Sequence, residues 1–107
     1  MEIAQCRYFL ALCQEGNFTR AAKRCGVAQP SLTNAIKRLE QTLGGPLFHR
    51  DRGKIELTEL GRVVEPCLKE LNQCAFQAQH KARKLLATRS VKSSQTRPRE
   101  GFLRARA

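Results

Sequence analysis

A short helix, a three-residue turn and a longer helix are written into residues 17–43, NFTRAAKRCGVAQPSLTNAIKRLEQTL, and no other stretch constrains the fold as tightly. Asn17 is a good N-cap, because its side-chain oxygen can accept a free backbone N–H. The first helix then runs through Ala21, Ala22 and Cys25. Gly26 follows, where the chain must bend sharply and a residue free to take a positive φ fits best. Val27 fills the gap between the helices. Gln29-Pro30 opens the second helix, since the missing proline N–H is not needed in a first turn. Leu32, Ala35, Ile36, Leu39 and Leu43 recur at steps of 3, 1, 3 and 4, one apolar face of an amphipathic helix. Ala22, Gly26 and Leu32 stand four and six apart. That spacing puts a small residue where two helices cross, a flexible turn next, and an apolar side chain pinning the second helix to the first. A helix-turn-helix over 18–37 needs this arrangement.

Charge supplies the next constraint. Among 107 residues, 20 Lys+Arg stand against 9 Asp+Glu, a formal net charge of +11. Such an excess favours an anionic partner, nucleic acid first. It is unevenly placed: residues 1–88 carry 14 basic and 8 acidic side chains, residues 89–107 carry 6 and 1. The tail exaggerates the basicity of the part expected to fold. A chain this long makes one domain. No apolar run approaches a membrane span, and the acidic Glu2 argues against a signal peptide, so a cytoplasmic protein is expected. Cys6, Cys13, Cys25, Cys67 and Cys74 form no CxxC, and His49 and His80 have no zinc-ligand spacing. No metal or other cofactor is expected. Cys6, Cys13 and Cys25 read as buried, reduced thiols.

Ahead of the helix-turn-helix, residues 2–15 form a helix with Ile3, Cys6, Phe9, Leu10 and Cys13 along one face and Gly16 as its stop. Within the helix-turn-helix, Arg20, Lys23, Arg24, Lys37 and Arg38 could be an ordinary solvated face. Their neighbours favour contact with phosphates and base edges. Gln29, Ser31, Thr33, Asn34 and Lys37 cluster at the start of the second helix, the part that enters a major groove in such units. Gln and Asn pair bidentately with adenine, while Ser and Thr suit phosphates. After Gly44, Gly45 and Pro46, the segments 47–50 and 54–57 alternate apolar and polar around Asp51-Arg52-Gly53, a β-hairpin wing within 46–57. Arg50, Arg52 and Lys54 lie at or near its tip, in reach of phosphates or a minor groove. Leu47, Phe48 and Leu57 must anchor it, since an isolated hairpin is marginal.

The run Ala21 to Gly61, AAKRCGVAQPSLTNAIKRLEQTLGGPLFHRDRGKIELTELG, closely resembles the N-terminal DNA-binding domain of LysR-type transcriptional regulators. The matching pieces are Ala21-Ala22, Gln29-Pro30-Ser31-Leu32-Thr33, Ile36, Leu39-Glu40, Leu43-Gly44, Leu47-Phe48, Arg50, Leu57-Thr58 and Gly61, in order and without a gap; Phe9 and Phe18 also fit. The resemblance covers about residues 2–87. It implies a mostly α fold, a winged helix-turn-helix over 1–58 followed by a linker helix over 59–87. It also implies sequence-specific binding of double-stranded DNA at an interrupted inverted repeat, as a dimer or tetramer. Carried over by position, Gln29, Pro30, Thr33 and Asn34 would face bases, Thr19 and Ser31 the backbone, and Arg50 and Arg52 would make wing contacts. Arg20, Lys37 and Arg38 complete the expected interface. Three positions depart from the family: Cys25 replaces leucine, Ala28 replaces the usual Ser or Thr cap, and Asn34 stands where arginine is frequent.

The linker helix has its own signal. With Thr58 as N-cap, Val64, Leu68, Leu71, Ala75, Ala78, Ala82 and Leu85 follow at steps of 4, 3, 4, 3, 4 and 3. That period of 3.5 is a coiled-coil seam, and it predicts pairing with a second chain, the alternative being a helix that packs within its own chain. Pro66 falls on the outer side of the seam. Cys67 and Cys74 flank it, and intracellular thiols normally stay reduced. From Thr88 the pattern stops, and 88–107 is expected to be a disordered basic tail. The family's ligand-sensing domain would begin beyond this chain, so effector binding has no support in these residues.

Three functions remain open at this point. One is a sequence-specific transcription factor domain. A second is a truncated regulator that pairs through the 59–87 helix, as a homodimer or a heterodimer with related regulators, and antagonises full-length relatives. A third is a nonspecific nucleic-acid binder driven by the tail. An enzyme is not expected: there is no glycine-rich phosphate loop, no paired acid–base carboxylates and no nucleophile with a base.

Overall fold

The computed structural model describes residues 1–92. Its elements run α1 (Ile3–Glu15), α2 (Phe18–Cys25), α3 (Gln29–Leu43), β1 (Phe48–Asp51), β2 (Lys54–Leu57) and α4 (Glu59–Lys92). The fold is the expected one, mostly helical, with a two-stranded wing and a long final helix. The chain divides into a compact unit, Met1–Ala75, and a second unit that begins at Phe76 within α4.

In the first unit α1 packs on α2 and α3, and α2 packs on α3. Cys6, Phe9 and Leu12 of α1 meet Ala21 and Ala22 of α2 and Leu32, Ile36 and Leu39 of α3 in one core, joined by Leu47 and Leu68. The small Ala21 and Ala22 let α2 lie close to its neighbours. Asn17 caps α2 as expected, its Oδ1 accepting the Arg20 N–H at 2.8 Å. Gly26 takes φ 72°, and the N–H of Val27 then reaches back to the Ala22 carbonyl at 3.0 Å. Those two bonds close the ends of α2, and the left-handed residue turns the chain into α3.

The buried face of α1 differs from the one expected. Ile3 is exposed, and Leu10 and Cys13 are only half-buried. Gln5, Ala11 and Leu12 go inward beside Cys6 and Phe9. Tyr8, Phe9, Leu10, Ala11, Leu12 and Cys13 are consecutive, so apolar residues surround this helix and spacing alone could not say which side faces the core. Gln5 is tolerated inside because its Oε1 accepts the Glu2 backbone N–H at 3.1 Å. Cys25 is likewise half-buried rather than buried.

The wing is shorter in its turn than the sequence suggested. Asp51 belongs to β1 and pairs with Lys54, which leaves Arg52-Gly53 as a two-residue loop. Both residues have positive φ, 55° and 79°, the mark of a type I′ hairpin turn. Leu47 is fully buried, and the Phe48 ring lies 5.3 Å from that of Phe9. Two polar clasps hold the hairpin's base. The Leu47 N–H donates to Glu40 Oε2 of α3 at 2.8 Å. Thr58 Oγ1 donates to the Pro46 carbonyl at 2.7 Å and accepts the Gly61 N–H at 3.0 Å, so it caps α4 and ties that cap to the wing. The first turn of α4 runs so close to the hairpin that a Cβ on Gly61 would collide with the Leu47 carbonyl oxygen.

Helix α4 continues to Lys92, five residues beyond the expected end at 87 and into the segment expected to be disordered. The apolar stripe ends near Leu85, but residues 86–92 hold no Gly or Pro to stop a helix. Residues 93–107 of that tail lie outside the described residues. Two of the expected pairing residues serve the chain's own core instead. Leu68 is only 4% exposed and Val64 packs beside it, whereas Leu71 and Leu85 are 39% and 54% exposed. Leu86 and Phe76 are also exposed, and Phe76 stacks on His80 with ring centroids 6.2 Å apart.

Candidate nucleic-acid interface

The sequence of α3 separates two jobs by helix geometry. Leu32, Ile36 and Leu39 turn inward, so Gln29, Asn34, Lys37 and Arg38 are left outside, with Thr33 half-buried at the margin. Pro30 and Ser31 in the first turn are exposed as well. Among the described residues, Ala28, Gln29, Pro30 and Ser31 at this end of α3 are all exposed. Its N-cap is Ala28, whose side chain makes no capping bond. Pro30 has no N–H and the Ser31 N–H turns back to the Ala28 carbonyl at 3.1 Å, so in this first turn the Gln29 N–H alone is left without an acceptor among the described residues.

The wing brings a second set of groups against the same helix. A cleft of about 320 Å³ is lined by Thr33, Lys37 and Glu40 of α3 and by His49 and Arg50 of β1, with Phe18 at its wall. The Arg50 guanidinium sits over the Phe18 ring, 5.7 Å from its centroid. An aromatic face attracts a cation and limits how far the arginine can swing. Thr33, Lys37 and Arg50 are thus gathered into one cationic cleft. Arg38 and Arg52 do not line it: Arg38 is on another side of α3 and Arg52 stands at the hairpin tip. His49 and Phe18 join the cleft although the residue pattern did not single them out for it. Phe48, His49 and Arg50, consecutive on β1, all line the cleft, a grouping that strand alternation alone does not predict.

Two further contacts were not expected. Thr19 and Gln29, ten residues apart across the turn, are joined: Thr19 Oγ1 donates to Gln29 Oε1 at 3.0 Å. Arg20 and Arg24 share one carboxylate. Glu15 lies 3.6 Å from Arg20 Nε and 3.2 Å from Arg24 Nη1, and Arg20 also donates to the Glu15 carbonyl at 3.3 Å. All three side chains are at the surface, where such pairs are weak and can exchange partners. Among the described residues no group of three or more His, Cys, Asp or Glu could hold a metal ion. No helix there is long and apolar enough to cross a membrane.

On the other side of α1 the chemistry is different. Cys13, Cys25, Arg7, Arg24, Glu65 and Lys69 line a cavity of about 480 Å³. Burial, then the charge of Glu65 and a hydrogen bond to its carboxylate, push the Cys13 thiol up to about 12. That thiol stays protonated at neutral pH and is a poor nucleophile.

Comparison with known proteins accounts for this set of features. Residues 3–62 match the family described as bacterial regulatory helix-turn-helix protein, lysR family. The HTH-type transcriptional regulator BudR of Klebsiella aerogenes is 52% identical over 63 residues, 59% of this chain and 44% of BudR. The small neutral protease regulatory protein of Streptomyces coelicolor is 38% identical over 108 residues, 97% of this chain and 33% of that protein. The chain therefore spans less than half the length of either relative. Among solved structures, the CbnR DNA-binding domain in complex with DNA superposes with a TM-score of 0.71 at 34% identity, covering 80% of this chain and 99% of that one. The BenM DNA-binding domain bound to the catB site 1 DNA gives 0.73 at 30% identity, covering 80% and 97%. By the match over residues 3–62 and by a fold shared with these domains, the chain belongs to the LysR family of bacterial regulatory helix-turn-helix proteins.

Proposed function

We propose that this chain binds double-stranded DNA with sequence preference and regulates transcription as a pair of chains. The observation that carries the reading is the uncovered start of α3 beside a wing whose Arg50 shares one cleft with Thr33 and Lys37. In this reading α3 enters the major groove. Gln29, Pro30, Thr33 and Asn34 meet base edges, while Ser31, Lys37, Arg38 and Arg20 meet phosphates. Arg50 and Arg52 reach the backbone or minor groove from the wing. DNA is the partner in the CbnR and BenM complexes, which supports the same placement here. Pairing falls to the outer part of α4, where Leu71, Ala78, Ala82 and Leu85 are exposed, with Ala75 half-buried between them. Homodimers, higher oligomers and heterodimers with related regulators all use that surface. The place of action is the cytoplasm, on nucleoid DNA.

Selection of bound duplexes from a random library at physiological salt tests the proposal. Recovery of an inverted repeat with a fixed gap is the expected result, and the gap reports the pair's geometry. Recovery of no motif, with binding that collapses as salt rises, would leave only electrostatic attraction and defeat the proposal.

A further inference from the structure

The contact between Thr19 and Gln29 bears on how a base is read. Gln29 is the first residue of α3 and Thr19 lies in the first turn of α2, so the hydrogen bond bridges the two helices at their exposed ends. A threonine hydroxyl has one proton to give. Here that proton goes to Gln29 Oε1, 3.0 Å away. A phosphate oxygen only accepts, so a hydroxyl whose proton is committed to Gln29 has nothing left to donate to it. The glutamine, by contrast, has three rotatable bonds and an amide that can present its donor and acceptor in either order. Held by its Oε1, it keeps one order: the carbonyl oxygen on the Thr19 side, with a lone pair remaining, and the two N–H groups beyond it. That fixed pair matches a base edge carrying one donor and one acceptor side by side, as adenine does in the major groove.

We propose that Thr19 is a positioning residue that sets the amide orientation of Gln29, and that it is not itself a backbone contact. The inference rests on the proposed reading of Gln29 as a base-reading side chain. It replaces the role that family resemblance gives to Thr19, and it makes Thr19 a determinant of specificity with no contact to a base.

The test uses the full chain and three kinds of duplex: the one best recovered from a random library, its single-base-pair variants, and a scrambled duplex. Thr19→Val removes the hydroxyl at nearly constant volume. It should lower discrimination by about 3- to 10-fold at the base pair whose discrimination Gln29→Ala also removes, the range one net hydrogen bond supports. Affinity for the scrambled duplex should not change. In a Gln29→Ala background, Thr19→Val should cost nothing further, whereas with Gln29 in place Thr19→Ser, which keeps the hydroxyl, should retain native discrimination. A uniform loss across every duplex, or losses that add in the double variant, would make Thr19 a direct backbone contact and overturn the proposal. So would a Thr19→Val chain with native discrimination while Gln29→Ala relaxes it. If Gln29→Ala itself leaves the preference intact, the base-reading role of Gln29 falls, and this inference falls with it.

Discussion

At the scale of single residues, several positions are decided by what one atom more or less would do. Gly61 is the clearest. Glycine costs roughly 1 kcal/mol relative to alanine inside a helix. Here the balance reverses, because a Cβ would meet the Leu47 carbonyl and the Leu57 side chain. Gly61→Ala should therefore destabilise by about 1–3 kcal/mol, seen as a lower denaturation midpoint with an unchanged slope. Cys13 gives a second test. Its thiol ionises near 9.0 in an unfolded chain but only near 12 in the folded one. The folded state thus holds a proton that the unfolded state releases. The contribution is intact below about pH 9 and is lost as pH rises toward 12. Measured from pH 7 to 10.5, Cys13→Ala should lose less stability with pH than the native chain. Neither residue could be read fully from the sequence. Gly61 was visible only as part of a family pattern, and the Glu65 beside Cys13 comes from a helix 52 positions away.

At the scale of elements, legibility follows how local the determining interaction is. The helix-turn-helix was plain because Asn17, Gly26 and Pro30 act on their immediate neighbours. Thr58 was plain for the same reason. The face of α1 was not, because its apolar residues surround it and only α2 and α3 choose among them. The end of α4 differs from the expected one because the loss of an apolar stripe is not a stop signal; residues 86–92 simply continue the helix. The uncapped start of α3 lends itself to repair. Ala28→Ser should supply the missing acceptor and stabilise by about 0.5–1 kcal/mol, readable as a higher melting temperature. The α4 face also divides cleanly. Leu68 belongs to the core, so its truncation would confound folding with pairing. The double change Leu71→Asp and Leu85→Asp touches exposed positions only. It should convert a pair of chains to single ones in sedimentation without lowering the melting temperature of the helix-turn-helix unit.

At the scale of the whole molecule, charge matters more by arrangement than by sum. The net charge of +11 pointed to an anionic partner, but it could not say which cations face it. Arg50, held over Phe18, is the cation proposed to do so, and Arg50→Ala should then weaken binding to all duplexes and flatten the dependence of log K on log salt by about 0.9. Glu15 has the opposite consequence. Its carboxylate lies against both Arg20 and Arg24, so this corner of the surface carries one net positive charge rather than two. The chain in effect brings its own counterion to the encounter. On the proposed DNA-binding reading, fewer small ions leave the duplex than a count of arginines implies, and part of the attraction is withheld from DNA of every sequence alike. Glu15→Gln should steepen the salt dependence by about 0.9 and raise affinity for scrambled duplexes. On the same reading, what Glu15 provides is restraint: it keeps this surface's grip on any DNA below what its arginines alone could give, and so leaves more of the choice to the bases.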